Sequence, residues 1–364
     1  MFFSPTLFTY FARHFISYVL SIFLIIMAII FLLDVVEFLR RGASKETVSM
    51  ALILEMAILK APSIGHKILP FAVLFGSMMA FAKIVKNSEL VAAHAAGLTI
   101  WQILIPSISV VLIIGVLWIA AINPISSALT AKFESLENRV LRNQNNALSL
   151  SPGGLWIREK TASGHSVLHA RAISNDGATL SNVTIFIFKN EDEFSSRIDA
   201  KHAKLKTGFW ELNDTVIITD DGVPKKVASS KLLTRLTVDN IQDSFASPTT
   251  MSFWDLPQFI SVLEKAGFSA VRHRLHWHAL LASPLLLCAM VLIAATFSLR
   301  LSTRTGSKKW ILAGLFFGFF LYFMTDLVFA LGLSGRIPEV FAAWTPAMVT
   351  TLIGITSLLY LEDA

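Results

Sequence analysis

The sequence predicts an α-helical integral membrane protein of six transmembrane helices, with an all-β domain inserted after the third. Three observations carry this. Of 364 residues, 54% are hydrophobic and only 15% charged, whereas an ordinary soluble domain is charged at nearer a quarter of its positions. Six apolar runs recur, each long enough for the ~20 helical residues that cross a hydrocarbon core of ~30 Å. Between the third and fourth runs the composition turns polar and the hydrophobic repeat shortens to two, the period of a strand with one buried face.

The runs cover residues 15–36, 61–82, 101–122, 277–297, 310–331 and 344–361. The first is too long for a removable signal peptide and lacks a small-residue cleavage site after it, so it is expected to remain as a span. Four runs begin at a tryptophan (Trp101, Trp277, Trp310, Trp344), the residue that settles at the headgroup level. Pro70, Gly76, Pro106, Gly115 and Pro284 fall inside runs and are tolerable there because neighbouring helices satisfy the freed backbone. The chain divides into residues 1–122 with three spans, 123–276 with the β domain and helical linkers, and 277–364 with three more spans.

Within 123–276, "SNVTIFIFKN", "FWELNDTVIITDDG" and "KLLTRLTV" alternate apolar and polar residues between Gly, Asn and Asp, the pattern of antiparallel strands. In "VTIFIF" the alternation allows only one pair inward, either Ile185 and Ile187 or Phe186 and Phe188. "SSALTAKFESLENRVLRNQ" before the strands reads as helical, and "DLPQFISVLEKAG" after them as a short amphipathic helix closed by Gly267.

Orientation follows from Lys and Arg in short loops. One side holds Arg13, Lys83, Lys86, Arg300, Arg304, Lys308 and Lys309; the other holds Arg40, Arg41, Lys45, Lys60 and Arg336. The larger set marks the cytoplasm. Both termini are then cytoplasmic and the β domain periplasmic, with Arg40 and Arg41, where the first span leaves the membrane as "DVVEFLRRGASK", as the exception.

Catalytic signals are sparse. No G-x-x-x-x-G-K-[ST] phosphate loop is present, and "TGSKKW" at 305–310 lacks its first glycine. His273, His276 and His278 offer a possible metal pair without a completing ligand or a general base, so a basic, aromatic interfacial anchor is the plainer reading. The single cysteine, Cys288, allows no intrachain disulfide. An excess of 31 Lys+Arg over 25 Asp+Glu in so apolar a chain points to anionic lipid, and no basic-aromatic module suggests nucleic acid. Asp326 lies inside the fifth run, where an ionisable group is either functional or polar glue between helices.

The loop between the second and third runs reads "KIVKNSELVAAHAAGLTIW". Asn87 or Ser88 is placed to cap a short helix, Glu89 sits in its first turn where the dipole favours a carboxylate, and Gly97 is placed to end it in the left-handed conformation. Its Ala-rich surface suits a partner's groove; the plainer alternative is a solvated connection.

"SELVAAHAAG", the "FLRRG" exit of the first span, the β insertion between spans three and four, and "FFGFFLYFMTDLV" in span five together resemble the lipopolysaccharide-export permeases of the LptF/LptG family, nearer its LptG branch. The resemblance covers the whole chain in topology and order, most specifically in the S-E-[hydrophobic]-x-x-x-x-A-x-G stretch carried by Ser88, Glu89, Leu90 and Gly97. It implies that this stretch is the coupling helix that meets a dimeric ATPase, LptB, which would hold the ATP and Mg; this chain would have no cofactor and no catalysis of its own. It also implies a jelly-roll β domain that receives acyl chains, a homologous LptF-type subunit as partner, and the bridge proteins LptC and LptA beyond. Arg40 and Arg41 match the family's basic patch at the outer mouth of the first span, and Lys132, close to Glu134, its further basic residues after the third. These would grip lipid A phosphates in paired, charge-assisted hydrogen bonds, where a plain anchor would only snorkel to headgroups. Two other classes compete: a secondary transporter using Asp326, and a membrane-anchored structural or sensor protein.

Overall fold

The computed structural model describes residues 5–42, 49–137, 140, 147–151, 154–161, 164–173, 179–189, 193–219, 223–234, 247–265, 269–299 and 307–362. In chain order the helices are α1 Pro5–Gly42, α2 Met50–Lys86, α3 Glu89–Ala95, α4 Ile100–Leu117, α5 Asn123–Glu137, α6 Leu256–Lys265, α7 Val271–Leu299, α8 Ser307–Leu333 and α9 Glu339–Glu362. A π turn, Trp118–Ile122, joins α4 to α5. The strands are β1 Ala147–Ser151, β2 Gly154–Thr161, β3 Gly164–Ile173, β4 Thr179–Lys189, β5 Glu193–Lys206, β6 Phe209–Thr219 and β7 Pro224–Leu233. Two compact units result: one holds Met1–Leu136, Ser252–Trp254 and Arg274–Ala364, the other Glu137–Met251 and Asp255–His273.

In the first unit, six helices among the described residues are long and apolar enough to cross a membrane: α1, α2, α4 continued through α5, α7, α8 and α9. They overrun the apolar runs, since a helix does not stop where its side chains turn polar. The core gathers Phe15, Val73, Leu74, Phe81, Leu104, Val111 and Val291. Because lipid tails are as apolar as these side chains, what holds helices together here is close packing. Gly76 supplies it between α1 and α2: a Cβ there would lie 2.6 Å from the Val19 Cα. Gly115 does so between α4 and α7, where a Cβ would meet the Pro284 Cα at 2.9 Å.

Proline explains two local departures. Pro284 has no N–H to give the Leu280 carbonyl, and the Ser283 hydroxyl donates to that oxygen instead at 2.8 Å. Pro124 likewise cannot serve the Ala120 carbonyl. The helix widens there, with the Asn123 N–H reaching back to the Trp118 carbonyl, and the Trp254 indole N–H donates to the Ala120 oxygen at 3.3 Å. Beside it the Phe253 N–H donates to the Asn123 Oδ1 at 2.7 Å. The short stretch that follows the strands is thereby fastened to the turn that precedes them.

The second unit is one antiparallel sheet of seven strands in the order β1 to β7, each paired with its sequence neighbour. Its buried rows run straight across the ladder: Leu155, Ala170, Val183, Ala200 and Thr215 form one, and Ile157, Leu168, Ile185 and Ile198 another. Asn182 and Asp214 have positive φ values of 53° and 52°. At their level two consecutive residues of each strand lie outside the buried set, so burial changes parity between Leu180 and Val183, and between Leu212 and Thr215. The sheet curls far enough for Thr234, just beyond β7, to donate to the buried Glu159 of β2 at 2.7 Å. Of the "VTIFIF" pairs, Ile185 is fully buried, while Phe186, Ile187 and Phe188 are all intermediate because a register shift falls between Ile187 and Phe188. Helix α6 buries Leu256, Ile260 and Leu263, the amphipathic spacing expected. Gly267, and the part of "KLLTRLTV" beyond Thr234, lie outside the described residues.

Candidate functional site

Arg40 and Arg41 close α1, and both turn toward Glu37, one helical turn back. Arg40 donates through Nε and Nη2 to the two Glu37 oxygens at 2.9 Å each, and Arg41 through Nε to Oε1 at 2.6 Å. The spacings i+3 and i+4 bring the three side chains to one face. Lys132, expected beside Glu134, bonds Glu55 of α2 at 3.1 Å instead, because α2 packs close enough to offer a carboxylate across the groove. Lys60 bonds Asp34 at 2.7 Å and lies over the Phe38 ring, and Phe38 meets Phe133 at 5.8 Å between centroids. Three helices thus join at this end through alternating charges. Four cations (Arg40, Arg41, Lys60, Lys132) face three carboxylates (Asp34, Glu37, Glu55). The patch has a small net positive charge; the Lys60–Asp34 pair is part-buried, while the pairs of Arg40, Arg41 and Lys132 are exposed, and exposed pairs exchange partners at little cost.

The far end of the same unit carries α3. Gly97 has φ +83° and closes the helix as expected: its N–H bonds the His94 carbonyl, and the Leu98 N–H the Ala93 carbonyl, at 2.9 and 3.0 Å, which is the Schellman pattern. The capping expectation fails. Ser88 occupies the N-cap position with φ 61° and makes no side-chain cap bond. Asn87 ends α2 and donates its amide to Glu89 Oε1 at 2.9 Å instead. The left-handed turn at Ser88 points its hydroxyl away from the first N–H groups. Glu89 Oε2 also receives the Tyr10 hydroxyl at 3.3 Å, and Leu90 packs against the core while Val91 stays exposed. Thr99 then restarts the chain with a capping box to Gln102. Tyr10 and Arg40 sit near opposite ends of α1, about 45 Å apart at 1.5 Å per residue.

Asp326 lies on an exposed face of α8 and receives the Tyr322 hydroxyl. Of the three histidines, His273 is buried against the Phe259 ring at 5.1 Å, and His278 lies edge-on to Trp277, whose indole stacks on Phe253. Among the described residues no group of three or more His, Cys, Asp or Glu is placed to hold a metal. Sequence reasoning missed Asp34, Glu37 and Glu55, the partners of the basic residues, and Tyr10. Glu37 was open to detection at i−3 and i−4 from the arginines; Glu55 and Tyr10 were not, since only helix packing brings them near.

Six apolar helices interrupted by an antiparallel sheet, with paired charges at one end and a short helix at the other, define a multi-pass membrane protein with an inserted β unit. Residues 9–360 match the family described as "Lipopolysaccharide export system permease LptF/LptG", and the chain belongs to that family. It is 24% identical over 342 residues to the lipopolysaccharide export system permease protein LptG of Haemophilus influenzae, covering 90% of this chain and 92% of that one. It is 23% identical over 316 residues to LptG of Escherichia coli K12, covering 83% and 84%.

Proposed function

We propose that this chain is a transmembrane permease subunit of an ABC transporter that extracts lipopolysaccharide from the outer leaflet of the inner membrane. It passes the lipid to a periplasmic bridge leading to the outer membrane. In this reading both termini are cytoplasmic and the β unit is periplasmic. An LptF-type subunit completes the lipid path, LptC and LptA form the bridge, and a dimeric LptB hydrolyses ATP with Mg against α3, through Ser88, Glu89, Leu90 and Gly97.

The observation that carries the reading is the pair Arg40 and Arg41, with Lys132, in exchangeable ion pairs at the end of the unit opposite α3. A lipid A phosphate offers each guanidinium the same two-oxygen geometry that Glu37 offers, with more charge and more acceptors. Headgroup binding at one end and ATPase contact at the other require only that the helices between them move as rigid rods.

Binding of lipid A with and without its phosphates, to the wild type and to the Arg40→Ala, Arg41→Ala double variant, forms a double-mutant cycle. Loss of the phosphates should weaken binding to the wild type more than to the variant. A coupling of zero would overturn the assignment and leave the arginines as a helix anchor.

A further inference from the structure

An antiparallel sheet with one buried face ordinarily turns polar side chains outward on the other. The outward rows of β2 to β6 carry aromatic and branched side chains as well. Trp156, His169, Thr184, Asp199 and Val216 are cross-strand partners along one row, and Val167, Phe186, Arg197 and Ile218 along the next. Both rows alternate with the buried ones, so these side chains point away from the interior of the sheet.

Neighbours on the same face hold several of these groups in place. The Trp156 ring lies on His169 with 4.2 Å between centroids, yet Trp156 stays 40% exposed. Toward β5, the Arg197 guanidinium lies over the Phe186 ring at 5.8 Å. It pairs with Asp199, Nε to Oδ2 at 2.9 Å and Nη2 to Oδ1 at 3.0 Å, and the Thr184 hydroxyl donates to the same Oδ1 at 2.8 Å. The Arg197 and Asp199 side chains remain 45% and 32% exposed. The two charges are thus balanced, oriented and within reach of solvent. At about 4.8 Å between strands, the row from Trp156 to Asp199 is about 14 Å long. Beyond Asp199 it continues through Val216 to the exposed Lys226.

We infer that this strip binds a short oligosaccharide, the sugar portion of a lipopolysaccharide, with one ring stacked on Trp156 and the hydroxyls of the next on Arg197 and Asp199. A sugar ring offers two chemistries at once: C–H faces that pack on an aromatic ring, and neighbouring hydroxyls that each donate and accept. Arg197 only donates and ionised Asp199 only accepts, so side by side they match adjacent hydroxyls. An acyl chain would cover this pair without replacing its water, at a desolvation cost. Two rows about 7 Å apart and about 14 Å long give on the order of 100 Å², far below the roughly 800 Å² that each partner of a stable protein complex buries. The β unit lies outside the six spans, and sugars are the part of a lipopolysaccharide that stays in water. The source of the sugar therefore rests on the export reading, whereas sugar binding itself does not.

The full chain in nanodiscs is titrated calorimetrically with the lipid-free oligosaccharide released from lipopolysaccharide by mild acid, with dextran of similar length as control. The wild type should bind the oligosaccharide in preference to dextran. Trp156→Leu should weaken binding by on the order of tenfold, the upper range for an aromatic contact, and Trp156→Phe by less. Asp199→Asn should weaken it by about fivefold, as a charge-assisted hydrogen bond becomes a neutral one. The Arg40→Ala, Arg41→Ala double variant should bind this lipid-free ligand as tightly as the wild type does, so the two sites fail separately. A zero coupling for lipid A beside intact sugar binding would overturn the export reading alone. No binding, or equal affinity in the wild type, Trp156→Leu and Asp199→Asn, would overturn the inference, and equal binding of dextran would overturn the assignment to lipopolysaccharide.

Discussion

Glu37 occupies the guanidinium faces that a phosphate would use, so it is an internal competitor for any anionic headgroup. Glu37→Gln should tighten binding of phosphorylated lipid A by a modest factor, within about threefold, because an exposed pair of this kind holds weakly; unchanged or weaker binding in a titration would mean that Glu37 orients the arginines instead. Arg40→Lys with Arg41→Lys keeps the charge and loses the fork, so binding should fall only in part. Glu89 needs a comparison that separates its own charge from its neighbours. Tyr10→Phe removes one internal hydrogen bond and should leave ATP hydrolysis coupled to transport, whereas Glu89→Lys should uncouple it while the protein still inserts. Equal effects of the two would assign Glu89 a local structural role. At this scale the sequence was legible where partners lie within one helical turn, as for Glu37, and illegible where a carboxylate arrives from another helix, as Glu55 does to Lys132.

Glycines at two elements matter for opposite reasons, which makes them a paired test. At Gly76 the space is closed: a Cβ would press on the backbone of Val19, so Gly76→Ala must push α1 from α2. A loss of about 1–3 kcal/mol is expected for overpacking of this kind, read as a lower unfolding temperature in nanodiscs. At Gly97 the space is open, with nothing within 4 Å, but the backbone is left-handed. Gly97→Ala should cost about 1–2 kcal/mol through strain alone, confined to α3, so it should loosen ATPase coupling while leaving the six spans as heat-stable as before. The helices, α3 and its glycine stop, and α6 could all be read from apolar period and turn residues. The π turn could not, because Pro124 reads equally well as the start of a fresh helix, and the bond that rewards widening comes from Trp254, far along the chain. Strand β5, "EFSSRIDAKHAKLK", was also hidden. It lies inside the sheet and buries Ile198, Ala200, Ala203 and Leu205 there, but two of the four are small and the buried parity changes between 200 and 203, so its charged outer face dominates the string.

Across the whole molecule the two units obey different solvents. In the sheet, burial follows ladder rows, so photo-crosslinkers at 185, 186, 187 and 188 should divide by register: position 185 should label lipopolysaccharide only if acyl chains enter the fully buried interior, and 186 only if they pass along the other face. Strong labelling at both, or at neither during active transport, would count against a lipid-lined sheet. In the six-span unit, α1 and α8 leave broad apolar faces exposed, with Leu24, Ile29 and Leu32 on one and Phe316, Phe323 and Leu327 on the other, surfaces suited to lipid or to a second subunit. Between the units runs the covalent chain, and the bonds from Trp254 and Phe253 to Ala120 and Asn123 tie its outgoing and returning ends into one knot on the membrane side. Residues 137–251 are, in effect, a loop closed at its base, after which 255–273 contribute once more to the second unit. Closing a loop costs only about 0.6 kcal/mol more for each doubling of its length, so the helical scaffold is nearly indifferent to what the loop contains. Replacing 137–251 with a short Gly-Ser bridge should leave a chain that inserts and whose six spans unfold in nanodiscs at the same temperature as those of the wild type. The same base would then accept a foreign β module, making the insertion an exchangeable cartridge that can diversify without any change in the helices that hold it.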